Sequence, residues 1–177
     1  MGTIKSPPPV QFFTSIIFSD SGILSEVEAS LSALVGAVGE RTAFMPFSQS
    51  DYYALEMGPD LTRCFLLFEP FFDRERLAGI KRATNAVEQK FSTDGRRMAN
   101  IDPGYLALEH MVLATTKGYA HRVYLGQGIF ADLTLIYANG TYRALPWTYP
   151  DYGSNELIPL FNGWRERYKR LSRCQKA

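Results

Sequence analysis

Val10-Gln11-Phe12-Phe13-Thr14-Ser15-Ile16-Ile17-Phe18 is a β-branched and aromatic run closed by Ser19, Asp20, Ser21 and Gly22, which reads as a buried strand followed by a helix-entry loop. Leu24, Val27, Leu31, Leu34, Val35 and Val38 then recur at spacings of three and four, so the spacing predicts an amphipathic helix with Gly39 as its stop. Arg41 to Phe47 returns as a short strand, with Pro46 favouring an edge because proline has no N–H for a ladder. Ser50 to Gly58 reads as a short helical turn capped by Ser50, and Thr62 to Phe68 as the next strand. Asp73 is placed to cap a second helix, whose Leu77, Ile80, Thr84, Val87 and Phe91 share one face before Asp94-Gly95 turns it into a strand from Arg96 to Ile101. The resulting order, β-α-β-β-α-β, suits an α+β fold with a ferredoxin-like antiparallel sheet covered by two helices on one face.

Residues 105–116 fit a helical and an alternating template alike. Asp102 followed by Pro103 favours a helix there, with aspartate as cap and proline in the first turn. Beyond them a β-meander is expected over His121 to Leu125, Ile129 to Tyr137 and Thr141 to Leu145. Asn139-Gly140 supplies the two positive-φ residues of a type I′ turn, which sets Tyr137 opposite Tyr142 and Ile136 opposite Arg143. A final helix carries Leu157, Phe161, Trp164, Tyr168 and Leu171 on one face, with Pro159 in its first turn. The chain is expected to be one domain: a flexible proline-rich arm over 1–9, a ferredoxin-like half over 10–104, and the meander with its C-terminal helix over 105–177.

Nineteen Lys and Arg stand against 18 Asp and Glu, so a net charge of +1 gives no overall field for DNA or an anionic membrane. The nearest basic patch is Arg165, Arg167, Lys169, Arg170, Arg173 and Lys176, which reads first as a solvated helix face. Cys64 and Cys174 are too few for a disulfide framework, and no apolar run reaches the ~20 residues of a membrane-spanning helix. A cytoplasmic location is therefore expected.

No phosphate-loop, dinucleotide, H-E-x-x-H or G-x-S-x-G pattern occurs, which disfavours conventional nucleotide-hydrolysing and serine-hydrolase machinery. With His110 and His121 as the whole histidine complement, no metal site is expected. The candidate ligand-binding residues are Arg97, Asn100, Asp102, Lys117, His121, Arg122, Trp147, Tyr149 and Asp151. Cations beside hydroxyls recognise phosphate or carboxylate, and flat rings stack on a base or sugar. A small phosphorylated or nucleotide-like molecule is accordingly the expected ligand. If turnover occurs, His121 or Asp102 would move the proton while Lys117, Arg97 or Arg122 held the anion. Architectural readings compete at each position: Asp102 as a helix cap, Lys117 at that helix's C-terminus, and Trp147 to Tyr152 as a loop fixed over the sheet edge by its rings. In a regular strand His121 and Arg122 face opposite ways. The alternative functions are a non-catalytic protein-interaction module and RNA binding through the basic C-terminal helix.

Five separated stretches carry a resemblance: Asp51-Tyr52-Tyr53 with Glu56-Met57-Gly58, Asn100-Ile101-Asp102-Pro103-Gly104-Tyr105, Ala114-Thr115-Thr116-Lys117, His121-Arg122-Val123-Tyr124-Leu125-Gly126, and Trp147-Thr148-Tyr149-Pro150-Asp151-Tyr152. From about Val10 to Tyr168 the chain resembles the bacterial family catalogued as domain of unknown function 4416. The resemblance implies a bacterial cytoplasmic protein and brings no established reaction or catalytic residues. Some members carry a GTP-binding label. Here the phosphate loop is missing, and Thr116-Lys117-Gly118-Tyr119 lacks the aspartate of a guanine-reading motif.

Overall fold

The structure, a computed structural model, describes residues 2–48, 53, 56–93 and 95–174. Among these the helices are α1 (Leu24–Leu34), α2 (Leu77–Lys90) and α3 (Leu157–Cys174). The large sheet contains β1 (Gln11–Phe18), β2 (Ala37–Arg41), β3 (Met45–Pro46), β4 (Thr62–Glu69), β7 (Ala99–Leu106), β8 (His110–Thr115), β9 (Arg122–Gly126), β10 (Ile129–Ala138) and β11 (Thr141–Ala144). A separate ribbon pairs β5 (Ser92–Thr93) with β6 (Arg96–Arg97). The order across the large sheet is β11-β10-β8-β7-β1-β4-β2, with β3 beside β4 and β9 beside β10, every pairing antiparallel. The protein is α+β.

β1 is buried along its whole length because layers cover both of its faces. Phe12, Ile16 and Phe18 join the core beneath α1 and α2, whereas Phe13 packs with Phe65 and with Phe161 and Trp164 of α3 on the other face. The chain leaves β1 through α1 to β2, passing over β4, and leaves β4 through α2 to β7, passing over β1. Burying an apolar face on each side of a central strand is the main favourable term of such a layered fold. No helix among the described residues is long and apolar enough to cross a membrane.

The Asn-Gly hairpin forms as expected, with φ of 52° at Asn139 and 83° at Gly140 and with Tyr137 opposite Tyr142. Several other expectations are corrected. Helix α1 stops at Leu34 rather than at Gly39, because Gly36 turns the chain where a Cβ would lie 2.5 Å from the Phe72 ring and Val38 is already in β2. The strand expected over Arg41 to Phe47 divides into β2 and β3, which meet β4 separately. The turn expected over Ser50 to Gly58 falls largely outside the described residues, its Ser50 cap included. Asp73 does precede α2, through a 3-10 turn, but its side chain makes no capping hydrogen bond. Residues 105–116 are not helical. They finish β7 and form β8, so Asp102 and Pro103 lie inside a strand and Lys117 follows a strand end.

Pro103 in a central strand has a specific effect. Ala107 N–H donates to the His110 carbonyl at 2.9 Å, so the odd-numbered residues of β7 direct their backbone groups toward β8. Tyr105 pairs with Val112, and the register would next bring Pro103 against Ala114. Proline has no N–H to donate, and the pairing ends at Gly104 opposite Leu113. Gly104 marks the closest approach, since a Cβ there would lie 2.5 Å from the Val112 carbonyl oxygen and 2.8 Å from the Phe13 ring. Gly104→Ala is expected to destabilise the protein by about 1–3 kcal/mol through overpacking. Gly79→Ala, on the open side of α2, should stabilise it by about 0.5–1 kcal/mol. Chemical denaturation of the two variants beside the wild type checks both signs.

Candidate functional site

Where β7 and β8 part, a cleft of ≈ 630 Å³ opens between the strand ends, walled by α2 on one side and by residues 149–152 on the other. The parting leaves the Ile101 backbone without a strand partner, and α2 meets it with two charged side chains. Glu88 Oε1 accepts from Ile101 N–H at 2.6 Å, and Lys81 Nζ donates to the Ile101 carbonyl at 2.9 Å. These residues sit seven apart on the buried stripe of α2 that also carries Leu77, Ile80, Thr84 and Val87.

A continuous polar network runs from there along the cleft. Lys81 Nζ donates to Asp102 Oδ1 at 3.0 Å, and Asn100 Nδ2 donates to Asp102 Oδ2 at 2.7 Å. Arg97 donates to Asn100 Oδ1 at 3.0 Å and to Glu88 Oε2 at 2.9 Å, and grips Glu56 with two bonds of 2.7 Å each. Burial alone would raise the Asp102 carboxyl, but the Lys81 charge and the bonds from Lys81 and Asn100 outweigh it and hold it below the usual carboxylate range. At Glu88 burial, aided by the Asp102 charge, outweighs Lys81, the Ile101 N–H and Arg97 and pushes the carboxyl up. The hydrogen bonds from Arg97 hold Glu56 below its ordinary value.

A second cluster centres on the buried carboxylate of Asp132 in β10. Arg122 Nε donates to Asp132 Oδ2 at 2.8 Å, and His121 Nε2 lies 3.4 Å from the same oxygen. Both reach it because β9 begins at Arg122, so His121 precedes the regular strand and the opposite-face expectation does not apply. Arg122 also donates to the Lys117 carbonyl at 3.0 Å and to the Tyr149 hydroxyl at 3.1 Å. Trp147 stacks on His121 with the rings 4.9 Å apart and 11° from parallel.

The loop carrying these rings is fixed to β10. The β8 register slips between Leu133 and Leu135, and Leu133 and Thr134 fall between the β9 and β11 pairings on the other side. Trp147 Nε1 donates to the Leu133 carbonyl at 2.8 Å, and Thr148 Oγ1 donates to the Thr134 carbonyl at 2.5 Å. Further along, Arg63 of β4 pairs with Asp151.

Of the nine residues singled out from the sequence, Arg97, Asn100, Asp102, Lys117, Tyr149 and Asp151 line the cleft. His121, Arg122 and Trp147 stand behind it, joined to its wall through Asp132 and Tyr149. Sequence reasoning missed Arg63, Lys81, Glu88 and Asp132. Each is a charge embedded in an apolar stripe or strand, and that mismatch is the signal that marks them. The thiols lie elsewhere: burial pushes Cys64 up to about 12, which leaves it protonated and unreactive. Among the described residues no cluster of histidine, cysteine and carboxylate side chains is fit to hold a metal ion.

The family model for the domain of unknown function DUF4416 matches residues 8–168. The chain belongs to this family. No curated protein and no solved structure matches it. In this DUF4416 chain the matched span includes both clusters and every wall of the cleft.

Lys81→Met is expected to raise the Asp102 titration midpoint, because burial is then opposed by Asn100 and more distant Arg63 alone among the causes that lower it. The wild-type Asp102 titrates below its unfolded value of about 3.9, so its contribution to stability is complete above that pH and is lost as pH falls through the folded midpoint. The variant should therefore lose about 1–3 kcal/mol near neutral pH, with the difference narrowing in acid. Carboxyl-carbon NMR titration with denaturation at pH 7 and pH 3 reads both effects. An unmoved Asp102 midpoint would show that Lys81 is not what holds it down.

Proposed function

We propose that the cleft binds a small phosphorylated or nucleotide-like ligand. The observation that carries this reading is a polar cavity of ≈ 630 Å³ lined in part by Arg63, whose buried Nε has no hydrogen-bond partner. Unpaired buried donors are costly unless an acceptor arrives, and native proteins tolerate few of them. Phe47, Tyr53 and Tyr149 offer ring surfaces at the same cavity, where a base or sugar would find stacking partners. The size lies within the ordinary range for small-molecule sites.

The scaffold half of the reading is a ferredoxin-like unit over residues 10–104. Its support is the pair of interleaved crossovers, β1-α1-β2 and β4-α2-β7, on one face of the order β7-β1-β4-β2. On this view β8 to β11 and α3 extend that unit, and the cleft lies at the junction.

A thermal-shift panel of nucleotides and sugar phosphates tests the ligand reading. At a hundredfold excess over Kd a genuine ligand stabilises by about 2.7 kcal/mol, which corresponds to roughly 5–10 °C for a chain of this size. Thr116 is exposed at the mouth of the cleft, so Thr116→Trp should abolish the shift while leaving the unliganded Tm nearly unchanged. A panel without a responding compound counts against the proposal.

A second reading, a protein-interaction module, is favoured by the edge strand β9, where Val123, Tyr124 and Leu125 are 67%, 59% and 44% exposed. Val123→Lys should then abolish a stoichiometric partner recovered from native extract and leave the ligand response intact. RNA binding has less support. Arg165 is committed to the Leu108 carbonyl and Glu166, Arg167 to Glu40 and Glu69, and Lys169 lies near Glu166, so much of the basic stretch is internally neutralised.

A further inference from the structure

The cations around the cleft differ in how fully their donors are used. All three nitrogens of the Arg97 guanidinium donate to Glu56, Glu88 or Asn100, and all three of Arg122 donate to Asp132, the Lys117 carbonyl or Tyr149. Lys81 is held by Asp102 and the Ile101 carbonyl. Arg63 is different. Its Nη1 meets Asp151, but its Nε is buried with no hydrogen-bond partner. The hydroxyls of Tyr152 and Ser15 interact with each other and have no further hydrogen-bond partner.

We propose that Arg63, with the Tyr152 hydroxyl backed by Ser15, forms the anion subsite of the cleft, that it takes a phosphoryl group, and that the Asp151 carboxylate occupies it in the ligand-free protein. This rests on the reading that the cleft binds a ligand. Arg63, Tyr152 and Ser15 are 7%, 3% and 1% exposed, so water has little access to the unused Arg63 Nε. The register sets Ile17 opposite Arg63 and Ser15 opposite Phe65, which puts Ser15 and Arg63 diagonally on one face of the sheet. The Arg63 carbon lies 5.7 Å from the Tyr152 ring centre and 4.3 Å from that of Phe47, so aromatic surfaces flank the guanidinium and lower the local dielectric. A guanidinium edge with a hydroxyl from a different segment offers donors out of one plane, which suits a tetrahedral oxyanion with several acceptors.

Asp151 fits the part of a stand-in. A buried arginine needs a counter-charge in the absence of ligand, and Asp151 supplies a single-point contact from a segment of turns after Pro150. Among the described residues its carboxylate makes no other hydrogen bond or ion pair. An entering phosphoryl group takes over the guanidinium, and the loop bearing Asp151 yields to it.

Calorimetric titration of inorganic phosphate into the wild type, Asp151→Asn and the double variant Asp151→Asn/Arg63→Lys tests this directly. Removing the competing carboxylate should tighten phosphate binding by about tenfold, and replacing the guanidinium with a point charge should erase the gain. Circular dichroism and Tm establish that each variant is folded. Asparagine keeps an acceptor for Arg63, and lysine keeps the charge. A folded Asp151→Asn protein that binds phosphate no better than the wild type overturns the subsite, as does a gain that survives Arg63→Lys. If the nucleotide and sugar-phosphate panel still shifts the wild type in that case, the cleft reading stands and the subsite alone falls. A silent panel with phosphate tightened in Asp151→Asn upholds the subsite and overturns the proposed ligand class.

Discussion

Ile101 carries a backbone N–H and C=O that no strand meets, and satisfying them organises much of what surrounds the cleft. A buried peptide group without a partner costs free energy comparable to a lost hydrogen bond. Closing the gap with β8 is blocked because Pro103 cannot donate where the ladder would continue. The fold answers with side chains from α2, Glu88 for the N–H and Lys81 for the carbonyl. Those charges need counter-charges of their own, and Asp102 and Arg97 provide them. One missing N–H thus leads outward to a network of five charged residues, Lys81, Glu88, Asp102, Arg97 and Glu56, and to an opening in the sheet.

The network keeps the cleft nearly neutral while leaving its members chemically distinct. Arg63, Lys81, Arg97 and Lys117 line it, and so do Glu88, Asp102, Asp132 and Asp151. Asp102 and Glu88 both lie near Lys81, yet the first holds its proton less tightly than usual and the second more tightly. The difference is one of balance between burial and neighbours. Asp102 has one oxygen on Lys81 and the other on Asn100, whereas Glu88 shares Arg97 with Glu56 and has the Asp102 charge nearby to raise it. In such a wall the buried charges of Lys81 and Glu88 each face a counter-charge.

Elements that follow from local chemistry were legible in the sequence: the first strand, the apolar face of α2 and the Asn139-Gly140 hairpin with its register. Elements decided by distant partners were not. Met111 to Ala114 fit two periods, and only pairing with β7 and β10 selects the strand. Asp102-Pro103 imitates a helix start, yet Pro103 is tolerated here because one flank of β7 is open. The same long-range character hid half of the cleft. Lys81 and Glu88 look like ordinary helix charges until they fall on the buried stripe, and nothing local in the sequence pairs Arg63 with Asp151, 88 residues on.

The meander beyond β8 is joined to the cleft by an irregularity of its own. A bulge adds a residue to one strand, disrupts the ladder and leaves backbone groups to find other partners. In β10 the slip falls at Leu133 to Leu135, where neither β9 nor β11 pairs with residues 133 and 134. Their carbonyls receive Trp147 and Thr148, which fixes the start of the segment that continues to Tyr149, Asp151 and Tyr152 at the cleft wall. The other end enters α3, whose first turn begins where Ser154 Oγ accepts from Leu157 N–H at 3.1 Å. The segment is therefore pinned at Thr148 and at Ser154, and its middle rests on the Arg63–Asp151 pair, the Tyr149–Arg122 bond and the burial of Tyr152. A loop anchored at both ends and held centrally by one ion pair keeps its rings in place at the cleft wall. For that reason the two breaks in sheet regularity, one at Pro103 and one at Thr134, act on the same cavity from opposite walls.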